Sequence, residues 1–194
     1  MGNPAIVGNW AFGTIFLFMG LFKLILPDSS GNIMLPVALF FGGCTQFLAG
    51  FLLLLKGKSW GGSLFMSWGA YWIGAAVRMV PNISSAFNAY TDPYDLDTAN
   101  GIYFFMWAIY GFMVTIISVR IKGGNMLTTY NMFFISLNLL TEGIYNVTHA
   151  TSSMRISGVA SLLACFGAYY GAAVDIFAEQ GVKYWVGEYK RSDN

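Results

Sequence analysis

The chain has 194 residues, of which 56% are hydrophobic and 10% charged, with a net charge of +1 and a mean hydropathy of +0.58. A soluble domain carries about 25% charged residues, so this chain cannot cover a water-facing surface in the usual way. The near-neutral balance, with no block of Lys and Arg, gives no groove for nucleic acid. Several apolar runs approach the ~20 residues that cross a hydrocarbon core, so the expected fold class is an all-α integral membrane protein.

The sequence reads as a single membrane domain of six transmembrane helices. The first, residues 7–26, ends at the turn cluster Pro27-Asp28-Ser29-Ser30-Gly31. No basic segment or convincing cleavage site accompanies it, so it is expected to be retained as a span rather than removed as a leader. The second covers 33–55 and stops at Lys56-Gly57-Lys58, and the third covers 61–80, closed by Pro81-Asn82. A polar stretch from Ser84 to Asp97 leads to the fourth, 99–119, which ends at Arg120-Ile121-Lys122-Gly123-Gly124. The fifth, 126–147, holds Asn131, Ser136, Asn138, Thr141 and Glu142. Lipid does not tolerate that load, so its polar face must turn inward. The sixth covers 156–178, and a short aromatic and charged tail follows.

The Lys and Arg distribution sets an orientation. With the N-terminus inside, Lys56, Lys58, Arg120, Lys122, Lys183, Lys190 and Arg191 are cytoplasmic, against Lys23, Arg78 and Arg155 outside. Both termini are therefore expected in the cytoplasm. The halves also echo each other: Trp10-Ala11 with Trp107-Ala108, Thr45-Gln46 with Thr141-Glu142, and Gly69-Ala70-Tyr71-Trp72 with Gly167-Ala168-Tyr169-Tyr170, at offsets of 97, 96 and 98 residues. Three spans separate the copies, which is the pattern of a 3+3 inverted repeat.

Asn3-Pro4-Ala5 opens the first helix with a favoured N-cap and a Pro suited to the first turn. It is either a well-made helix start or an anion-attracting one. Gly42, Gln46, Ala49 and Gly50 share a helical face on which another backbone can approach closely. There Gln46 either bonds a neighbouring helix or replaces water on a polar solute. Phe12, Trp68 and Trp72 are either packing aromatics or a constriction; Trp68 and Trp72, four apart, lie on one face. Glu142 is an acid in mid-span, expensive there and a functional candidate by default, with a carboxyl simply held neutral by burial as the other reading. His149, the single histidine, reads as an interface residue before a pH sensor. Cys44 and Cys165 read as buried apolar residues rather than a disulfide. No transition-metal set, phosphate-binding loop, dinucleotide fingerprint or catalytic triad is present, so neither a cofactor nor an enzyme is expected. Asn82-Ile83-Ser84 and Asn146-Val147-Thr148 match the short glycosylation pattern.

Taken in order, Asn3-Pro4-Ala5 with Gly8, Phe40-Phe41-Gly42-Gly43-Cys44-Thr45-Gln46-Phe47-Leu48-Ala49-Gly50 and Phe65-Met66-Ser67-Trp68-Gly69-Ala70-Tyr71-Trp72 resemble three signatures. They are N-P-A-P-L-G, Y-G-G-x-x-Q-x-x-A-G and S-Y-G-x-F-W of the acetate transporter family, the succinate–acetate permease and yeast ammonia-export-related group. The resemblance implies a hexameric ring of six-helix protomers, each with its own pore for acetate and other short carboxylates. It carries the family's hydrophobic gate to Phe12, Trp68 and Leu137, and substrate contacts to Asn3 and Gln46, with Trp72 and Glu142 added from the residue reading. Ile6-Val7, Phe41 and Trp68 depart from the family pattern, and Glu142 matches nothing in it. The bulkier Trp68 bears on whether succinate passes. Pores for urea, ammonia or amides, and a non-transporting scaffold, are the competing functions.

Overall fold

The computed structural model describes residues 2–80 and 89–189, and these are helical almost throughout. Helix α1 (Pro4–Ile25) starts where Asn3 caps it, the Asn3 side chain accepting a hydrogen bond from the Ala5 N–H at 3.1 Å. The second segment is not one uniform helix. A 3-10 turn (Gly31–Met34) passes through Pro36 into a π-helical stretch (Val37–Thr45), and only then into α2 (Gln46–Leu55). Next come α3 (Ser59–Met79), α4 (Pro93–Arg120), α5 (Met126–Thr148) and α6 (Thr151–Glu179). Helix α4 starts six residues before the apolar run, because Asp92 caps it through the Tyr94 N–H at 2.9 Å and Pro93 suits the first turn. Asn82 lies outside the described residues, and Asn146 sits within the last turns of α5.

Pro4–Ile25, Val37–Leu55, Pro93–Arg120 and Thr151–Glu179 are long and apolar enough to cross a membrane. Helix α5 is as long but more polar, and it turns that polarity inward: Ser136 and Asn138 are fully buried, and Asn131 and Thr141 are buried too. Its first N–H groups have partners. Thr128 N–H is taken by the Asn125 side chain at 2.8 Å. Met126 and Leu127 N–H donate to the carbonyls of Gly187 and Val186, at 2.8 and 3.2 Å. The tail thus folds back over the start of α5 and completes a cap that helix ends require.

The helices meet in pairs at glycines. A Cβ at Gly50 would stand 2.5 Å from the Met66 nitrogen and 2.7 Å from the Gly62 oxygen, and one at Gly62 would stand 3.0 Å from the Gly50 oxygen. Gly20 and Gly158 do the same for α1 and α6, each facing the other's carbonyl at 3.0 and 3.1 Å. Gly101 and Gly143 repeat the arrangement between α4 and α5, at 3.4 and 3.3 Å. These crossings bring backbones together where lipid offers no hydrophobic drive to association. Inside the ring of helices sit Phe12, Ile15, Phe16, Trp68, Tyr71, Trp72, Ile135 and Leu139, all buried.

Gly50→Ala has no room, since its methyl meets backbone rather than a flexible side chain. It is expected to lower stability by about 1–3 kcal/mol, the usual range for overpacking. Gly61→Ala, on α3 beside Gly62 and with only Leu53 Cδ1 at 3.6 Å, is expected to be neutral or better. Thermal unfolding of the two purified variants in detergent checks the contrast.

Candidate functional site

Two cavities enter the helix bundle from opposite ends. The first, about 230 Å³, lies among the N-terminal halves of α1, α3 and α5 and the C-terminal part of α6; Asn9, Phe12, Gln46, Trp68, Asn131 and Asp175 line it. The second, about 240 Å³, lies at the other end, lined by Met19, Tyr71, Trp72, Arg78, Asn100 and Glu142 among others. What separates them is aromatic. Phe12 stacks on Phe16 at 4.4 Å, and Phe16 meets the edge of Trp72 at 5.7 Å. Trp68 and Tyr71 lie edge to face at 6.0 Å and both pack on Trp107. Trp68 belongs to the first cavity and Trp72 to the second, so along α3 the barrier is one helical turn, roughly 6 Å.

Glycines allow this arrangement. Gly42, in the π-helical stretch, lies against Ile15 and the Trp72 ring, where a Cβ would stand 3.2 Å from each. Thr45 Oγ1 donates to the Phe40 carbonyl five residues back at 3.0 Å. A π segment widens the helix and often marks a functional position. Here it delivers Gln46 to the floor of the first cavity. Gln46 is fully buried, and neither its Oε1 nor its Nε2 has a hydrogen-bond partner; the indole nitrogens of Trp68 and Trp72 and the Oδ1 of Asn131 are also unpartnered. Buried polar groups normally find partners. A cavity floor with an open amide and an open indole N–H can hold a small solute that both donates and accepts.

The second cavity is built differently. Glu142 accepts a hydrogen bond from the Lys23 ammonium at 2.6 Å, and Lys23 is 4% exposed. Lys23 also donates to Ser157 Oγ at 2.9 Å, and Asn138 Nδ2 donates to Ser157 and Ser161 Oγ at 3.0 and 2.6 Å. The ion pair therefore sits in a polar cluster drawn from α1, α5 and α6. Arg78, across the cavity, donates to Asn100 Oδ1 and lies over the rings of Tyr103 and Phe104 at 4.1 and 5.3 Å.

Residues 1–187 match the model of the GPR1/FUN34/yaaH family. The chain belongs to this family. Similar proteins include the succinate-acetate/proton symporter SatP of Escherichia coli K12, 26% identical over 93% of this chain and 91% of that one. Ammonia transport outward protein 2 of Saccharomyces cerevisiae is 25% identical, over 92% of this chain and 62% of that one. The meiotically up-regulated gene 86 protein of Schizosaccharomyces pombe is 28% identical, over 88% of this chain and 57% of that one. The chain spans about three fifths of the length of the yeast relatives it matches. The solved structure of the bacterial acetate channel SatP superposes with a TM-score of 0.82 at 20% identity, over 96% of this chain and 99% of that one. The family fold is thus this chain's fold, and with its long apolar helices the protein is an integral membrane protein.

Within this family fold, Phe12, Gln46 and Trp68 come together on the first cavity, and Trp72 and Glu142 on the second. Asn3 lines neither; its side chain caps α1 and its N–H donates to Glu179 at 3.1 Å. Leu137 also lines neither and is half-buried, while Met132, Ile135 and Leu139 are the α5 residues of the apolar core. His149 is exposed and pairs with Asp97 at 3.2 Å. Sequence reading missed Asn9, Lys23 and Arg78 as cavity or ion-pair residues and gave Asn131 only as part of the inward polar face of the fifth span. The charge count sets Lys23 at the outer end of the first span, yet it is buried in α1 and faces the mid-helix Glu142, and that complementarity was the available signal.

Two stability experiments follow from these surroundings. Gln46→Met keeps the volume and removes an unpaired buried amide worth roughly 1–3 kcal/mol of desolvation, so the melting temperature in detergent is expected to stay level or rise. Lys23→Met leaves the largely buried Glu142 carboxylate without its partner, and is expected to cost about 3–5 kcal/mol. Lys23→Met with Glu142→Met together should recover most of that, which a double-mutant cycle of melting curves measures.

Proposed function

We propose that this protein carries acetate, and other short monocarboxylates, across its membrane; its activity is transport rather than catalysis. The observation that supports this most is the pair of opposed cavities meeting at a barrier one helical turn thick, with the unpaired Gln46 amide on one side of it. The names of its relatives, a succinate-acetate/proton symporter and a bacterial acetate channel, point the same way. In this reading Phe12 and Trp68 form the gate, with Leu137 carried over from the family resemblance as a third gate position. Gln46 contacts the substrate carboxyl, Asn3 contributes only by capping α1, whose N-terminal half borders the first cavity, and Trp72 and Glu142 receive the substrate on the far side.

The same proposal makes the chain a single domain of six transmembrane helices, α3 and α5 included, with both termini cytoplasmic. The halves would be related by a 3+3 inverted repeat, and six copies would form a ring with a pore in each protomer. The large apolar side chains exposed on the π-helical stretch, α2 and α4, such as Phe40, Phe47, Phe51, Ile102 and Ile109, suit burial against lipid or neighbouring protomers. A bare carboxylate in an apolar constriction loses hydration that weak contacts cannot return. The solute therefore crosses with its proton or with polar groups standing in for water, and a simple carboxylic acid has a pKa of ~4–5 by analogy with Glu. The wide Trp68 ring favours acetate over the longer succinate.

Labelled acetate uptake into liposomes holding the protein, at two external pH values, tests the proposal against empty liposomes. Saturable uptake above the empty control, faster at the lower pH and unmoved by excess urea, is expected, and Gln46→Met should reduce it at least several-fold. Uptake equal to the control, or blocked by urea alone, would move the function to a neutral-solute pore or a scaffold.

A further inference from the structure

The ion pair between Lys23 and Glu142 sits where a carboxylate substrate would end its passage through the aromatic barrier. Glu142 lines the second cavity, whereas Lys23, 2.6 Å from its carboxylate and 4% exposed, does not. Acetate and the Glu142 side chain present the same functional group, so the Lys23 ammonium is already occupied by a substrate-like anion from the protein's own chain. Among the described residues the groups facing this pair are few. Helix α3 brings Tyr71 and Arg78, α4 brings Tyr103, and α6 brings only the Ser157 hydroxyl as a direct partner. Arg78 lies on the same cavity, held against Asn100 and the ring faces of α4, and it adds a positive field at the entrance.

Building on the acetate reading, we propose that Lys23 is a carboxylate-binding group exposed by protonation of Glu142, so that one proton accompanies each substrate carboxylate. A proton from water in the second cavity adds to Glu142 Oε2, and the neutral carboxyl releases the ammonium. The substrate carboxylate then takes the vacated place on Lys23 Nζ. Before the exchange the site holds one ammonium and one carboxylate; after it, one ammonium, one substrate carboxylate and one neutral acid. Its net charge is zero in both states. That is why the exchange is affordable in a low-dielectric interior, where an added unpaired ion is not. When the substrate leaves, Glu142 gives up its proton, to the departing carboxylate or to water, and closes again on Lys23.

The exchange differs measurably from simple passage of neutral acid. In both cases one proton is taken up per acetate bound, and affinity falls about tenfold per pH unit above the relevant pKa. Only in the exchange does that proton reside on Glu142. The test uses purified full-length protein in weakly buffered detergent solution, with sodium acetate as the probe. Proton uptake is followed by an indicator dye, and binding by the fluorescence of the tryptophans lining the two cavities.

Wild-type protein is expected to take up one proton per acetate. Glu142→Gln, which leaves Lys23 permanently available, is expected to bind acetate with no proton uptake and an affinity that changes less than twofold per pH unit. Lys23→Gln combined with Glu142→Gln removes the charges as a pair, so it remains informative where the single variant does not fold. It is expected to bind acetate at least tenfold more weakly than wild type at low pH. Full proton uptake in Glu142→Gln, or unweakened proton-coupled binding in the double variant, would overturn the exchange and leave acetate transport by neutral acid standing. Absence of acetate binding in the wild type would instead strike at the transport reading itself.

Discussion

Everything in this fold depends on the reciprocal glycine contacts that let helices cross at backbone distance. Gly50 with Gly62, Gly20 with Gly158 and Gly101 with Gly143 each place one carbonyl against the other helix's Cα. In lipid the tails are as apolar as the side chains, so close packing and weak Cα–H···O contacts take over from the hydrophobic effect. Tight pairs at the glycines leave the large side chains to occupy the space between pairs. Helices α3 and α4 show the complement: they meet through Trp68, Tyr71, Tyr103, Trp107 and Tyr110 rather than through small residues. The aromatic barrier is the consequence of where the glycines are not.

That division of labour explains why the polar groups in the interior differ in their satisfaction. Ser136, Ser157, Ser161 and the Asn138 amide nitrogen are tied into side-chain and backbone bonds, while Asn138 Oδ1 is left open. Gln46 and the indoles of Trp68 and Trp72 are left open at cavity floors. Open polar groups cost stability wherever they are buried. Their placement on either side of a barrier one turn thick sets them apart from the bonded network, and it is the arrangement a permeating polar solute needs.

Much of this was legible in the sequence, for definite reasons. Hydropathy and the Pro27, Lys56-Gly57-Lys58, Pro81 and Gly123-Gly124 punctuation place the long helices to within a few residues, apart from the early starts of α4 and α6. The small-residue face of Gly42, Gln46, Ala49 and Gly50 is buried together as its spacing implies. Periodicity could not show that Val37–Thr45 is π-helical, because hydropathy does not distinguish i to i+5 from i to i+4 bonding. Nor could it show that Lys23 belongs inside: a lysine near a helix end ordinarily snorkels to the interface, and only its partner 119 residues away holds it in. The tail was opaque as well, since pairing of Gly187 and Val186 with α5 is a backbone matter that no side-chain pattern records.

The geometry also bears on where selectivity arises. Each cavity, at about 230–240 Å³, is far larger than a two-carbon acid, so neither can select by size. The barrier is the narrow element, and Trp68 closes it on the Gln46 side with ring contacts to Tyr71, Trp107 and Tyr110. A ring wedged among three others cannot rotate aside without moving them, so in the proposed pathway a long substrate would demand a collective rearrangement where a short one demands little. In that pathway charge selectivity would have a separate origin. The first cavity offers neutral amides beside Asp175, whereas the second offers Arg78 and a self-neutralised ion pair. In the proposed pathway size is judged in the aromatic layer and charge at its far side, and a residue change on one should leave the other's discrimination intact.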